Sequence, residues 1–220
     1  MAELERYGAP MTDSRLRNMI TAERRELAAV LSGLPEESWN APTLCAGWRV
    51  REVVAHMEML YRYSTARFLA ELARSGGRFD RMADRRARQD GSASPHELLL
   101  VMAEGAESAR TPLGVGLTGS LTHDVIHGLD VTVALGLDRR VPEDRLRVVL
   151  DVITTPKGLK SSGAPLPDSP LRAEEIDWTF GTGTPVFGAA QDLALVICGR
   201  RLPAGRLRGG PCSRFTADRA

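Results

Sequence analysis

His123 and His127 stand four residues apart in Leu121-Thr122-His123-Asp124-Val125-Ile126-His127-Gly128-Leu129-Asp130. In a helix that interval is about one turn, so both imidazoles leave the same face, roughly 6 Å apart along the axis. His56 lies in a second segment, whose apolar residues Val53, Met57, Leu60 and Tyr61 recur at the helical period. It can complete a three-nitrogen face only if the two helices are neighbours, so the pattern predicts a helical bundle. Three protein ligands leave coordination positions open on a divalent ion, the arrangement of a catalytic rather than a structural site. The chain has four histidines, and this placement commits three of them. Any one alone reads more naturally as a hydrogen-bonded core residue; the weight rests on the three together. His96, at a helix start, reads as solvated surface.

The rest of the chain supplies the other helices. Thr12 or Asp13 can cap a first helix running to Leu31, stopped by Gly33-Leu34-Pro35. Trp39 to Trp48 reads as an ordered loop, punctuated by Pro42 and Gly47 and fastened to the bundle by its two tryptophans. A second helix is expected from Arg49 to about Ala73. The arginine-rich stretch from Gly76 to Gly91 reads as an exposed helical or loose connection. Ser94-Pro95-His96-Glu97 has the form of a capping box opening a third helix of about fifteen residues. The histidine helix is expected over Leu113 to Leu135, ending at Gly136, and another opens at Pro142-Glu143-Asp144. Thr154 to Pro170 reads as a linker or long surface loop. Beyond it, Ile176 to Phe180 alternates like a strand, Thr184 to Phe187 is its candidate hairpin partner, and Ala189 to Cys198 looks helical. Leu207 to Ala220 is a final strand or a loosely ordered tail. The expected fold class is mainly α, with a helical bundle over residues 1–155 and a small α+β domain over residues 156–220.

Charge narrows the partners. The formal net charge is +1, which gives no electrostatic reason to expect nucleic acid or an anionic membrane. No apolar run approaches the roughly 20 residues needed to span a bilayer. The first residues, Met1-Ala2-Glu3-Leu4-Glu5-Arg6, lack the pattern of a secretory signal. Cys45, Cys198 and Cys212 are odd in number and widely spaced, offering neither a zinc knuckle nor a disulfide framework. A cytoplasmic protein with reduced thiols, monomeric or homodimeric, is the expectation. Only Lys157 and Lys160 are lysines, an arginine bias that reads as GC-rich codon usage.

The stretch Trp39-x-x-Pro42-Thr43-x-Cys45-x-Gly47-Trp48-x-Val50-x-x-Val53-x-Ala55-His56 resembles the opening motif of the mycothiol-dependent maleylpyruvate isomerase family, part of the DinB-like metalloenzyme superfamily. His123-x-x-x-His127-x-Leu129-Asp130 is similar to its second metal-binding segment. Val186-x-Gly188-x-Ala190-x-Asp192-Leu193 and Gly199-Arg200 resemble its small C-terminal part. The resemblance implies a DinB-like antiparallel four-helix bundle holding one divalent metal, usually zinc, with mycothiol as the thiol cofactor or co-substrate. It also implies an actinobacterial setting. Isomerases of the family often carry Glu where this chain has His123, so the triad of His56, His123 and His127 is closer to the general DinB pattern.

The implied chemistry uses a thiolate, since a thiol is a poor nucleophile. A divalent ion with an open position can stabilise a deprotonated thiol near neutral pH. A thiol S-transferase and an isomerase acting on an electrophilic small molecule are then both open. A metal-dependent hydrolase without a thiol cofactor, and a non-catalytic small-molecule-binding protein, are the alternatives. Asp124 and Asp130 can orient ligand imidazoles, Asp130 the better placed at three residues beyond His127. Arg200 can hold a substrate or cofactor carboxylate by a two-pronged contact, or stand as a surface arginine. Asp130 and Arg200 are therefore the candidate catalytic residues beside the three metal candidates. Cys45 has no sequence neighbour to activate it and reads as a packed, structural thiol.

Overall fold

The computed structural model describes residues 11–108, 116–162 and 170–217. The first ten residues, the beginning of the expected histidine helix before Gly116, residues 163–169 of the expected linker and the last three residues lie outside this set.

Helix α1 (Asp13–Ser32) starts where Thr12 accepts the Arg15 N–H at 3.2 Å. Its buried stripe runs Leu16, Met19, Ile20, Leu27 and Leu31 at helical spacing, with Glu23 and Arg24 buried in the middle of it. A 3₁₀ turn (Glu36–Asn40) buries Trp39, and the following loop closes by a bridge between Pro42 and Arg49. Helix α2 (Val50–Arg62) carries His56 on its buried side. The expected single helix to Ala73 breaks at Tyr63, whose backbone is extended. Ser64 caps a new helix, α3 (Thr65–Arg74), by accepting the Arg67 N–H at 3.2 Å. The break is fixed from outside: the Tyr63 hydroxyl bonds to Asp90, and the Arg67 guanidinium sits 3.9 Å from its ring centroid.

Helix α4 (Phe79–Asp90) occupies the stretch expected to be an exposed or loose connection. It is helical, and it buries Met82, Ala83 and Ala87. Three of its four arginines pair with carboxylates: Arg85 with Glu71 at 2.7 Å, Arg86 with Asp90 at 2.5 Å and Arg88 with Asp84 at 3.0 Å. Helix α5 (Pro95–Gly105) opens with the expected reciprocal capping box of Ser94 and Glu97, though it is eleven residues long, not fifteen. Helix α6 (Gly116–Ala134) bears His123 and His127 and is followed by Gly136 at φ +65°, the left-handed stop that glycine supplies. Helix α7 (Glu143–Ile153) follows Pro142 as expected. A short helix, α8 (Pro156–Ser162), stands where a linker was expected.

The C-terminal part is a four-stranded sheet with one helix. Strands β1 (Leu171–Ala173), β2 (Thr179–Phe180), β3 (Val186–Gly188) and β4 (Leu207–Arg208) lie in the order β2-β1-β3-β4, and α9 (Ala190–Ile197) follows β3. The expected hairpin does not form. β2 pairs antiparallel with β1 and not with β3, which instead runs parallel to β1. β1 buries Leu171 and Ala173 on one face and wins the central position, while two-residue β2 is left at the edge. The final segment forms β4 and a 3₁₀ turn (Cys212–Phe215).

Helices α1, α2, α5 and α6 make the bundle: α1 and α2 each pack on both α5 and α6. One core cluster joins the N-terminal half of α1 and α6 to α7, α9 and the sheet; a second joins the C-terminal half of α1 to Trp39, α2 and α5. Glu23 links the halves, accepting from Arg139 at 2.6 Å and Arg145 at 2.9 Å. No helix among the described residues is long and apolar enough to cross a membrane.

Candidate metal centre

Packing α2 beside α6 brings His56, His123 and His127 together. One nitrogen from each lies within 4.8 Å of the other two. The ring centroids are 5.0, 4.9 and 4.6 Å apart, and the Nε2 atoms of His56 and His123 approach to 3.1 Å.

Two carboxylates decide which way two of the rings present their lone pairs. Asp124 Oδ1 lies 3.2 Å from His123 Nδ1, and Asp130 Oδ2 lies 3.0 Å from His127 Nδ1. A carboxylate only accepts, so both Nδ1 atoms carry the proton and both Nε2 atoms are left with free lone pairs. Burial, reinforced by the two neighbouring imidazoles, holds His56 well below the usual histidine pKa. Burial also lowers His127, against the opposing pull of Asp130. His56 and His127 are therefore held toward the neutral form, the form that binds a metal. Nδ1 of His56 has no hydrogen-bond partner among the described residues. A tetrahedral zinc with nitrogens at about 2.05 Å would space them about 3.3 Å apart, close to the His56–His123 separation. The residues fit a divalent ion.

Asp130 is held in turn. Arg200 donates Nε to Oδ1 at 2.9 Å and Nη2 to Oδ2 at 2.8 Å, and gives Nη1 to the Cys198 carbonyl at 2.8 Å. Burial opposes the Asp130 charge, but the hydrogen bonds from Arg200 and His127 outweigh it and hold its pKa below the usual range. The two-pronged contact of Arg200 is made to Asp130 of the protein itself, where a substrate or cofactor carboxylate was expected.

Sequence reasoning placed Trp48 only as a loop anchor. It is also a wall of the site, with its rings 4.9 Å from His56 and 6.4 Å from His127, and its Nε1 donates to Asp84 of α4 at 2.9 Å. Cys45 offers a second surprise: its sulfur lies within 4.8 Å of both His127 and Asp130. Burial, then the Asp130 charge, pushes its thiol up to about 11, so it stays protonated. Cys198 is likewise pushed up to about 11 by burial. Neither is a ready nucleophile. His96 is exposed, as its position predicts.

Access comes from the α7–α8 side. A cavity of about 630 Å³ opens onto His123, His127 and Arg200, lined by Ile126, Val152 and Ile153 and by Thr118, Thr122, Thr155 and Ser161. Lys157 of α8 also lines it.

Residues 20–114 match the family described as the mycothiol maleylpyruvate isomerase N-terminal domain. The matched stretch contains Trp48 and His56 and ends before His123 and His127. The crystal structure of the mycothiol-dependent maleylpyruvate isomerase has the same fold, with a TM-score of 0.61 and 14% identity over 94% of this chain and 95% of that one. A histidine-to-alanine mutant of the isomerase is similar at a TM-score of 0.60 and 14% identity, with the same coverage of both chains. Among curated protein sequences none matches.

Proposed function

We propose that the protein is a divalent-metal-dependent enzyme that uses mycothiol as thiol cofactor or co-substrate and acts on an electrophilic small molecule. His56, His123 and His127 are the metal ligands, and zinc is the ion their three imidazoles suit best. The observation that carries this reading is the shared focus of the three rings, with Asp124 and Asp130 fixing two of them as lone-pair donors. The family match adds the thiol.

When bound, the ion supplies the Lewis acidity that keeps a thiol deprotonated near neutral pH. The protein's own groups do the rest. Asp130 holds His127 in one tautomer and one orientation, and Arg200 holds Asp130 in place. Trp48 and the buried faces of α2 and α6 keep water from the His56 side of the cluster, so reactants enter through the cavity beneath α8. Its apolar residues suit the carbon skeleton of an electrophile, and its hydroxyl-bearing residues suit a polyhydroxylated thiol. Isomerisation and transfer differ in whether the thiol leaves again or stays attached to the product.

The test is turnover of a panel of activated alkenes and carbonyl-conjugated acids with zinc-loaded protein, with and without mycothiol. Consumption that requires mycothiol supports the proposal. Equal turnover without it would identify a metal-dependent hydrolase, and ligand binding with no product would identify a binding protein.

A further inference from the structure

The two imidazoles on α6 are each backed by a carboxylate, and each carboxylate by an arginine. Behind His127 the arginine is Arg200, which lines the cavity. Behind His123 it is Arg24, from the middle of α1 and remote from the cavity. Arg24 Nε donates to Asp124 Oδ2 at 2.7 Å, and both side chains are only 1% exposed. Arg24 is fixed from two further directions. Its Nη1 donates to the carbonyls of Gly105 at 3.2 Å and Ser108 at 3.4 Å, at the end of α5. Its guanidinium carbon lies 5.0 Å from the centroid of the Tyr61 ring on α2.

The apolar neighbours of Arg24 along α1 do not themselves call for a charge at this position. The stripe on either side is Leu16, Met19, Ile20, Leu27 and Leu31. Burying an ion pair is expensive, and an apolar pair of similar volume is often as stable or more so. Nη2 of Arg24 has no hydrogen-bond partner among the described residues, which adds to the cost. What the charge does is leave Asp124 one orientation. With Oδ2 taken by Arg24, Oδ1 faces His123 Nδ1 at 3.2 Å.

We propose that Arg24 is a positioning residue for the metal centre: through Asp124 it fixes the Nδ1–H tautomer of His123 and so presents Nε2 to the ion. The inference rests on the metal reading above. In its absence the Asp124 carboxylate is free to turn, and His123 can protonate Nε2 and pair with His56 Nε2, 3.1 Å away, closing the site against metal. The device joins α1, α2 and α5 to a ligand on α6, so that closing the bundle sets the ligand.

The experiment compares the full-length native chain with Arg24→Met, which keeps the volume, Arg24→Lys, and Asp124→Asn. Each is stripped of metal, melted, and titrated with Co²⁺ and Zn²⁺ against a chromophoric chelator while the visible Co²⁺ spectrum is recorded. Arg24→Met is expected to melt near the native temperature yet bind metal about 10- to 100-fold more weakly, with an altered Co²⁺ spectrum. Asp124→Asn should show a similar loss, the double variant no more than either single, and Arg24→Lys a partial rescue. If Arg24→Met does not fold, weakened metal binding in folded Arg24→Lys and Asp124→Asn serves as the same support. Native affinity and spectrum in the folded Arg24 variants would overturn the inference while leaving the metal reading intact. No metal binding by the native chain would overturn both.

Discussion

At the scale of single residues, the chain places charged groups where burial would ordinarily exclude them, and each has a consequence. Glu58, two residues after His56, is fully buried; among the described residues neither of its oxygens has a hydrogen-bond partner, and Arg62 is 3.5 Å away. Burial pushes its carboxyl up to about 8 from an ordinary value of 4.5. The folded state therefore holds the Glu58 proton more tightly than the unfolded chain does. That contribution is fully present below about pH 4.5 and is lost as the pH rises through about 8. Glu58→Gln, neutral at every pH, should gain on the native protein by on the order of 2–4 kcal/mol between about pH 5 and pH 9. Urea unfolding of both proteins across that range checks it, and a difference that does not change with pH would contradict it.

The same scale shows what could be read in advance. The histidine triad was legible because helical spacing is local: His123 and His127 are one turn apart, and Asp130 follows one turn after His127. Arg24 and Trp48 were not, because their partners lie far along the chain; Arg24 and Asp124 are 100 residues apart. A signal did exist for Arg24. It and Glu23 interrupt an otherwise apolar stripe on α1, and a charged pair at a core position calls for a buried partner.

At the scale of elements, capping chemistry was more readable than periodicity. Thr12, Ser94 with Glu97, and Pro142 marked helix starts correctly. The break between α2 and α3 was missed because it depends on Asp90 and Arg67 gripping Tyr63, not on a proline or glycine. Helix α4 was underrated because it buries only one large apolar residue, Met82, and small alanines beside it. The strands are two or three residues long, too short for alternation to identify their partners. The end of α5 shows how tightly elements are fitted near the site. A Cβ added to Gly105 would lie 2.1 Å from two carbons of the Tyr61 ring. Gly105→Ala should therefore destabilise the fold by roughly 3 kcal/mol. Because the Gly105 carbonyl also accepts from Arg24, the variant should lose metal affinity as well. Unfolding and chelator competition on one preparation test both, and near-native stability would show that α5 moves freely against α2.

At the scale of the whole molecule, the sheet and the bundle share a core. Leu171 of β1, Val186 of β3 and Leu193 of α9 belong to the same buried cluster as Leu16 of α1 and Leu129 of α6. The protein should unfold in a single cooperative transition. Leu193→Ala, at a fully buried position, should cost 2–5 kcal/mol, roughly, and shift the midpoint without splitting it. Circular dichroism and tryptophan fluorescence should follow one curve; two separated transitions would mean that the C-terminal part folds independently. That shared core also carries Arg200 to Asp130, so the C-terminal part supplies a brace for a site built on α2 and α6.

The central claim is that three histidines hold one catalytic ion, and metal content tests it most directly. Native protein and His127→Ala, prepared identically and incubated with zinc, should be compared by elemental analysis after removal of free metal. About one equivalent per native chain, largely lost in the variant, is the predicted result. A native protein that remains metal-free, or a variant that retains the full equivalent, would contradict it.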